Sequence, residues 1–381
     1  MEERLRTGLA YNERFLDHDT GMALVSAPVP LDGPWEVTPH PEGPYRTRAV
    51  HRLLDRTGLL PRLTPIPFAA VDRSVVAMVH TDAYIDGVEE AVRTGAPEAG
   101  PYVPICPVSE EIARIAVGAT IATVDAIVDG TLANAFALVR PPGHHATADM
   151  PMGYCVYNNV AIAVRHLQRR GLERIAIIDW DVHHGNGTES IFIDDPGVLY
   201  ISTHQDGWYP PDSGAVDVVG TGAGEGFNVN IPLPPGSGNA TYAAAFERLV
   251  EPIVRSYRPD LVIVSAGQDP NALDPIGRMA MSSAGFRELT RRVGEMAGDV
   301  AGGRLGIVLE GGYGGYAPVC TWSIIEELAG APSGLEDPYA EWLAATPPAS
   351  VVPPDAEAAI ARAVGVHGAY WPSLRGAVAW R

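Results

Sequence analysis

RIAIIDWDVHHGNGT, Arg174–Thr188, is the stretch on which the fold turns. Its first half is a short apolar, β-branched run and its second half gathers Asp and His. A continuous apolar run of this length reads as a strand buried on both faces, as in a parallel sheet covered by helices. Working outward, the same pattern recurs. Ala135–Val139 precedes RPPGHHA (Arg140–Ala146), Leu261–Ala266 precedes GQD (Gly267–Asp269), and Leu305–Leu309 precedes EGGY (Glu310–Tyr313). Val198–Thr203 is a further strand. Helical patterns lie between: Ser109–Val128 capped by Ser109, Asn158–Arg170 ended by Gly171, Tyr242–Tyr257, and Gly285–Val300. This alternation predicts a mostly parallel sheet with helices on both faces. Ligands bind such sheets beyond the carboxyl ends of the strands, so separate segments deliver His, Asp and Tyr side chains to one crevice.

The flanks are less regular. Before about Val103 the chain is rich in Pro and loop signals, with helices expected over Arg46–Leu60 and Asp82–Arg93. Thr346–Pro354 is Pro-rich; Asp355 is then placed to cap a short helix, Ala356–Val364. The tail carries Trp371 and Trp380, read as packing or subunit-interface residues. No stretch resembles a linker, so a single domain over 1–381 is expected, with 346–381 packing on it.

Composition narrows the function. The 381 residues include 27 basic and 46 acidic side chains, a net charge of −19, and every basic residue is arginine. Without lysine there is no Schiff-base chemistry, no pyridoxal phosphate anchor and no Walker-type phosphate loop. The acidic balance argues against nucleic acid as a partner and favours cationic small molecules. No run approaches the roughly 20 apolar residues of a membrane span, and MEERLRTGLAYNERF (Met1–Phe15) lacks the apolar stretch of a signal peptide. Cys106, Cys155 and Cys320 are widely spaced without CxxC, which suits a reducing cytoplasm.

Asp179, Asp181 and His183 stand at i, i+2 and i+4, so continued strand geometry points all three to one face. With Asp269 they offer a one-His, two-carboxylate metal set. Zinc accepts that mixture with a position open for water, and Fe(II) or Mn(II) suits the same donors. His144 and His145 follow a rigid Pro-Pro-Gly turn. A histidine there serves as general base and then acid, with Asp179 orienting a ring. Tyr313, on a Gly-Gly turn, is placed to donate to a developing oxyanion. His184 reads as structural and His166 as a surface residue.

RPPGHHA, GYCVYNNVA (Gly153–Ala161), DWDVHHGNGT, Asp269 followed by DPIGRM (Asp274–Met279), and EGGY together resemble the histone deacetylase superfamily. The nearer resemblance is to bacterial class II-type histone deacetylase-like amidohydrolases and acetylpolyamine amidohydrolases, over roughly Asp17 to Tyr339. The resemblance implies a three-layer α/β/α fold with an eight-stranded parallel sheet, related to arginase. It implies zinc held by Asp181, His183 and Asp269, and His145 as base and acid supported by Asn186. His144 would pair with Asp179, and Tyr313 would polarise the carbonyl. It further implies a structural potassium ion near Asp179, Asp181, His183 and Ser202, and assembly into dimers or tetramers. The chain departs from the family along the substrate channel. Tyr154, after Gly153, stands where relatives have Phe; Tyr209, beside Trp208, stands at the opposite wall; Gln268 precedes the third ligand. These groups make the approach polar and predict a polar substrate group. At the rim, acidic character is expected from Glu98, or from Asp17, His18 and Asp19.

The expected function is a zinc-dependent amidohydrolase that removes acetyl or another short acyl group from an amine, releasing a cationic product. The acyl-amine could be acyl-lysine, an acylpolyamine or a specialised metabolite. Two other readings stand beside it. A non-catalytic binder of acyl-amines would use the same pocket. A binuclear ureohydrolase needs further ligands, but Asn186 occupies one such place and no Asp-x-Asp surrounds Asp269.

Overall fold

The apolar runs pair side by side, all in the same direction. In the computed structural model, which describes residues 7–24 and 36–374, eight strands form the central sheet. They are β1 (Thr7–Ala10), β2 (Thr64–Pro65), β3 (Asn134–Ala137), β4 (Ile175–Asp179), β5 (Val198–Gln205), β6 (Asn228–Leu233), β7 (Leu261–Ala266) and β8 (Leu305–Leu309). Their order is β2-β1-β3-β8-β7-β4-β5-β6, and every ladder is parallel. A separate antiparallel pair joins Met22–Ala23 to Thr38–Pro39.

Helices cover both faces, completing the three-layer α/β/α arrangement. One face carries α1 (Ser109–Val128) and α2 (Asn159–Arg169). It receives Ala135, Ala137, Ile175, Ile177, Val198 and Tyr200 from the strands. The opposite face receives Phe136, Ala176, Ile178, Leu199 and Ile201. Here pack Tyr45–Arg56, α3 (Ser283–Val300), α4 (Ala317–Ala329) and α5 (Pro354–His367). Alternate residues of β4 thus enter opposite cores, as the period of two requires. The C-terminal segment is tied to edge strand β6: His367 Nε2 lies 3.3 Å from Asn230 O, and Trp371 Nε1 donates to Gly226 O. Trp380 lies outside the described residues.

Several expected boundaries shift for local reasons. β1, β2 and β6 escape a search for apolar runs: β1 and β2 are only four and two residues long, and β6 contains two Asn and a Pro. β2 and β6 lie at the sheet edges, where proline is tolerated. Ser109 is not a cap; it begins α1 after Val108, and its hydroxyl accepts from Cys106 N. Asn158 does cap α2, accepting from Ala161 N. The Tyr242–Tyr257 pattern is two α segments joined by a π turn, Phe246–Val250, close to Pro252, which has no amide proton to give. The first long helix stops at Arg56 rather than Leu60, because Gly58 adopts a positive φ of 68°. The last begins at Pro354 rather than after Asp355.

Candidate active site

The carboxyl ends of β3, β4, β7 and β8 deliver their segments to one cavity of about 500 Å³. His145, His183 and Tyr313 line its buried end, Tyr154 and Tyr209 its walls, and Tyr102, Trp208 and Arg278 its exposed mouth.

At the buried end, Asp181, His183 and Asp269 bring one ligand atom each to within 4.8 Å of one another. The β4 ladder ends at Asp179, but the alternation continues. Trp180 and Val182 enter the core while Asp181 and His183 face the site. His183 Nδ1 lies 3.1 Å from both Asp181 Oδ1 and Asp269 Oδ2. Backbone amides fix the carboxylates: Val182 N donates to Asp269 Oδ1 at 2.8 Å, and Gly311 N to Asp181 Oδ2 at 2.8 Å. Two glycines make the room. A Cβ at Gly267 would stand 2.1 Å from Asp181 Oδ2, and one at Gly311 would stand 2.1 Å from Asp269 Oδ2. Burial and the Asp181 charge push Asp269 upward, while His144 and His183 hold Asp181 down against its burial. Burial opposes a charged His183, yet hydrogen bonds to both carboxylates raise its pKa to about 10. Two carboxylates and one imidazole, buried around a shared centre, form a cradle for positive charge that fits a divalent metal.

The two adjacent histidines take opposite electrostatic roles. His144 Nδ1 lies 3.1 Å from Asp179 Oδ2 and its Nε2 3.7 Å from Asp181 Oδ2. Burial opposes its charge, but these carboxylates raise its pKa to about 10. His145 Nδ1 lies 2.8 Å from Asn186 Oδ1. An amide oxygen only accepts, so Nδ1 carries the proton and Nε2 keeps its lone pair. Burial, then His144 and His183, hold the His145 pKa well below the ordinary histidine value. Its Nε2 is left as the basic nitrogen of the pair. Glu310 supports the turn carrying both rings, accepting from Gly143 N at 2.7 Å and His144 N at 3.1 Å.

Tyr313 is held from two sides that its own motif does not reveal. Its amide donates to Asp274 Oδ2 at 2.7 Å, and the Arg46 guanidinium lies 4.7 Å over its ring. Arg46 also donates to the carbonyls of Gly312 and Glu310. Gly312 turns the chain with φ +114°, a conformation closed to side-chain-bearing residues. Burial pushes the Tyr313 phenol well above its ordinary pKa, with Arg46 opposing, so it remains a donor.

Tyr154 stands edge-on to Tyr313 at 5.8 Å, and Tyr209 edge-on to His145 at 5.0 Å. The Tyr209 hydroxyl is buried with no hydrogen-bond partner among the described residues. Gly153 forms the edge of the slot; a Cβ there would meet His145 Cδ2 at 2.5 Å. Trp208 is exposed and donates through Nε1 to Ile276 O.

Other expected positions are corrected. Gln268 does not reach the cavity: it is fully buried, donating to Ala266 O and accepting from Thr321 Oγ1. His166, expected at the surface, is partly exposed there and ties α2 to Asp125 of α1 at 2.9 Å. His18 is no rim residue; it is buried beside Ser109 and Glu42. Asp17 pairs with Arg14, Asp19 accepts from Gly21 N, and neither lines the cavity. Glu98 turns inward, its Oε1 buried without a partner among the described residues, and burial raises its pKa. Ser202 is the register partner of Asp179, and its hydroxyl contacts His204 Nδ1. His184 is buried between Ser213 and Glu189, a structural position. Sequence reasoning missed Arg46, Asp274 and Arg278. Asp274 and Arg278 lie within the DPIGRM motif, which was the one available signal.

Residues 40–327 match the histone deacetylase domain family. The chain is 40% identical over 344 residues to a histone deacetylase-like amidohydrolase of Pseudomonas aeruginosa, covering 89% of this chain and 90% of that one. It is 38% identical over 330 residues to a probable deacetylase of Archaeoglobus fulgidus, covering 85% and 86%. Among solved structures, the crystal structure of the HDA15 HD domain superposes with a TM-score of 0.85 at 33% identity, covering 98% of this chain and 99% of that one.

Proposed function

The chain belongs to the histone deacetylase family, and from that premise we propose a zinc-dependent amidohydrolase that removes acetyl or another short acyl group from an amine. The observation that carries this reading is the meeting of the Asp181–His183–Asp269 cradle with a neutral His145 and a protonated Tyr313 in one cavity. When bound by those three residues, zinc, or Fe(II) in its place, supplies Lewis acidity to the scissile carbonyl and acidifies water.

The chain's own residues then divide the proton work. His145 Nε2 takes a proton from the attacking water, and Asn186 holds the ring in the tautomer that allows it. His144, paired with Asp179, lies against the His145 ring and supports it electrostatically. Tyr313 donates to the carbonyl oxygen as negative charge develops there. Return of the His145 proton to the nitrogen lets the amine leave, and the product ammonium is favoured by the acidic chain. The buried Tyr209 hydroxyl, without a partner among the described residues, supports a polar group in the bound substrate. Asp179 and Ser202, side by side in the ladder, suit a structural potassium ion shared with Asp181 and His183. The free thiols of Cys106, Cys155 and Cys320 suit the cytoplasm, and among the described residues no helix is long and apolar enough to cross a membrane. Assembly into dimers or tetramers belongs to the same reading.

The test is hydrolysis of a fluorogenic acetyl-lysine substrate. Turnover is expected with zinc, lost on chelation and restored by added zinc. No turnover across a panel of acyl-amines at full zinc occupancy would replace this reading by the acyl-amine binder.

A further inference from the structure

Among the residues lining the mouth of the cavity, Arg278 is the charged side chain. It sits at the exposed end, opposite the buried His145 and Tyr313. Four contacts hold it there. Its Nη1 donates to Gly277 O at 2.7 Å and Pro275 O at 3.3 Å, its backbone N donates to Gln205 Oε1 at 2.9 Å, and its guanidinium lies 5.3 Å over the Trp208 ring. Trp208 is itself anchored to Ile276 O at 2.8 Å. Among the described residues no carboxylate lies within ion-pair distance of this guanidinium, although acidic residues outnumber basic ones, 46 to 27.

The bonds to backbone leave the Nε–H and both Nη2–H donors of Arg278 without an acceptor among the described residues. That edge of a guanidinium is the one that takes a carboxylate by two parallel hydrogen bonds. An arginine pre-positioned on an indole and two carbonyls loses little freedom on binding an anion, which raises what each bond contributes. A polyamine carries positive charge along its length and would meet repulsion at this mouth.

Resting on the amidohydrolase reading, we propose that Arg278 is a specificity-determining residue that recognises a carboxylate on the amine portion of the substrate. The substrate class is then an ω-(acylamino) carboxylic acid: an Nω-acylated diamino acid, free or at the carboxyl end of a peptide, rather than an acylated polyamine. The scissile amide lies at the buried end and the carboxylate emerges at the mouth. The −19 net charge acts at long range on the whole ligand; the arginine selects at contact.

The experiment compares matched probes on the zinc-loaded full chain: Nα-benzoyl-Nε-acetyl-lysine with a free carboxylate, the same compound as its carboxamide, and N-acetylcadaverine. The carboxylate is expected to exceed the amide in kcat/KM about tenfold or more, chiefly through KM, with N-acetylcadaverine last. In Arg278→Gln the carboxylate-to-amide ratio should fall to about one, and in Arg278→Glu the order should invert toward N-acetylcadaverine. Because each ratio is taken within one protein, a partly misfolded variant does not distort it. A ratio of one in the unaltered chain, or a ratio untouched by Arg278→Gln, overturns the proposal. The calorimetric Kd ratio of the carboxylate and carboxamide probes reads the same preference without turnover. A retained preference in Kd with no hydrolysis of any probe sinks the hydrolase reading and leaves the Arg278 assignment standing; equal Kd values sink the assignment.

Discussion

Tyr313 and His145 illustrate how neighbours decide what a side chain does. A buried phenol is held neutral and can only donate or accept a hydrogen bond; a buried imidazole is held neutral and free to take a proton. Replacing Tyr313 by Phe removes the donor and leaves the metal cradle intact. Zinc content should stay unchanged while kcat falls by roughly 10²–10³. Elemental analysis together with steady-state kinetics checks this, and unaltered turnover would remove Tyr313 from the chemistry. Most of these residues were legible from the sequence, because each sits directly after a strand in a motif of fixed spacing. Gln268 was legible only as a neighbour of Asp269. Its side chain turns to Ala266 and Thr321, partners that only the packed structure brings beside it. Arg278 gave no signal alone, since an arginine in a loop is usually solvated.

At the scale of elements, the loops following β3 and β8 are locked to the N-terminal region by a buried ionic cluster. Arg140, fully buried, donates to both Glu42 carboxylate oxygens at 2.7 Å and to the carbonyls of Phe15 and His18. Arg46 donates to the same carboxylate at 3.0 Å and clasps the Tyr313 turn. Glu42 therefore joins the turn bearing His144 and His145 to the turn bearing Tyr313. Glu42→Gln leaves two arginines buried without a counter-ion, and a stability loss of about 3–5 kcal/mol is expected in denaturant titration. A loss under about 1 kcal/mol would mean that the cluster does not hold these turns. None of this was legible locally. Glu42 and Arg140 are 98 residues apart, and pairing over that distance is known only once the strands are placed.

For the whole molecule, three buried histidines carry a stability contribution that acid removes. Burial lowers the pKa of His18, His80 and His367 from 6.5 to about 4. In each case the unfolded chain binds the proton first. Stability is then full above pH 6.5 and declines as pH falls toward 4, by up to about 3 kcal/mol per histidine. Glu42 acts lower: burial opposes its charge, but Arg140 brings its pKa from 4.5 to about 2, so its contribution is lost as pH falls through that interval. Thermal melts from about pH 7 to about pH 4 should show a shallower fall in Tm for His18→Gln than for the unaltered chain; equal slopes would contradict a buried neutral His18. The amino-acid sequence by itself determined the parallel α/β class, the metal-cradle residues and the His–His–Tyr set, because apolar runs and the residues beside them are local properties of the chain. Tertiary structure alone decided the short strands β1, β2 and β6, the inward turn of Gln268 and Glu98, the Glu42–Arg140–Arg46 clamp and the place of Arg278 at the cavity mouth. The physical reason is that burial and pairing belong to neighbours in space, and only the closed sheet brings those neighbours together.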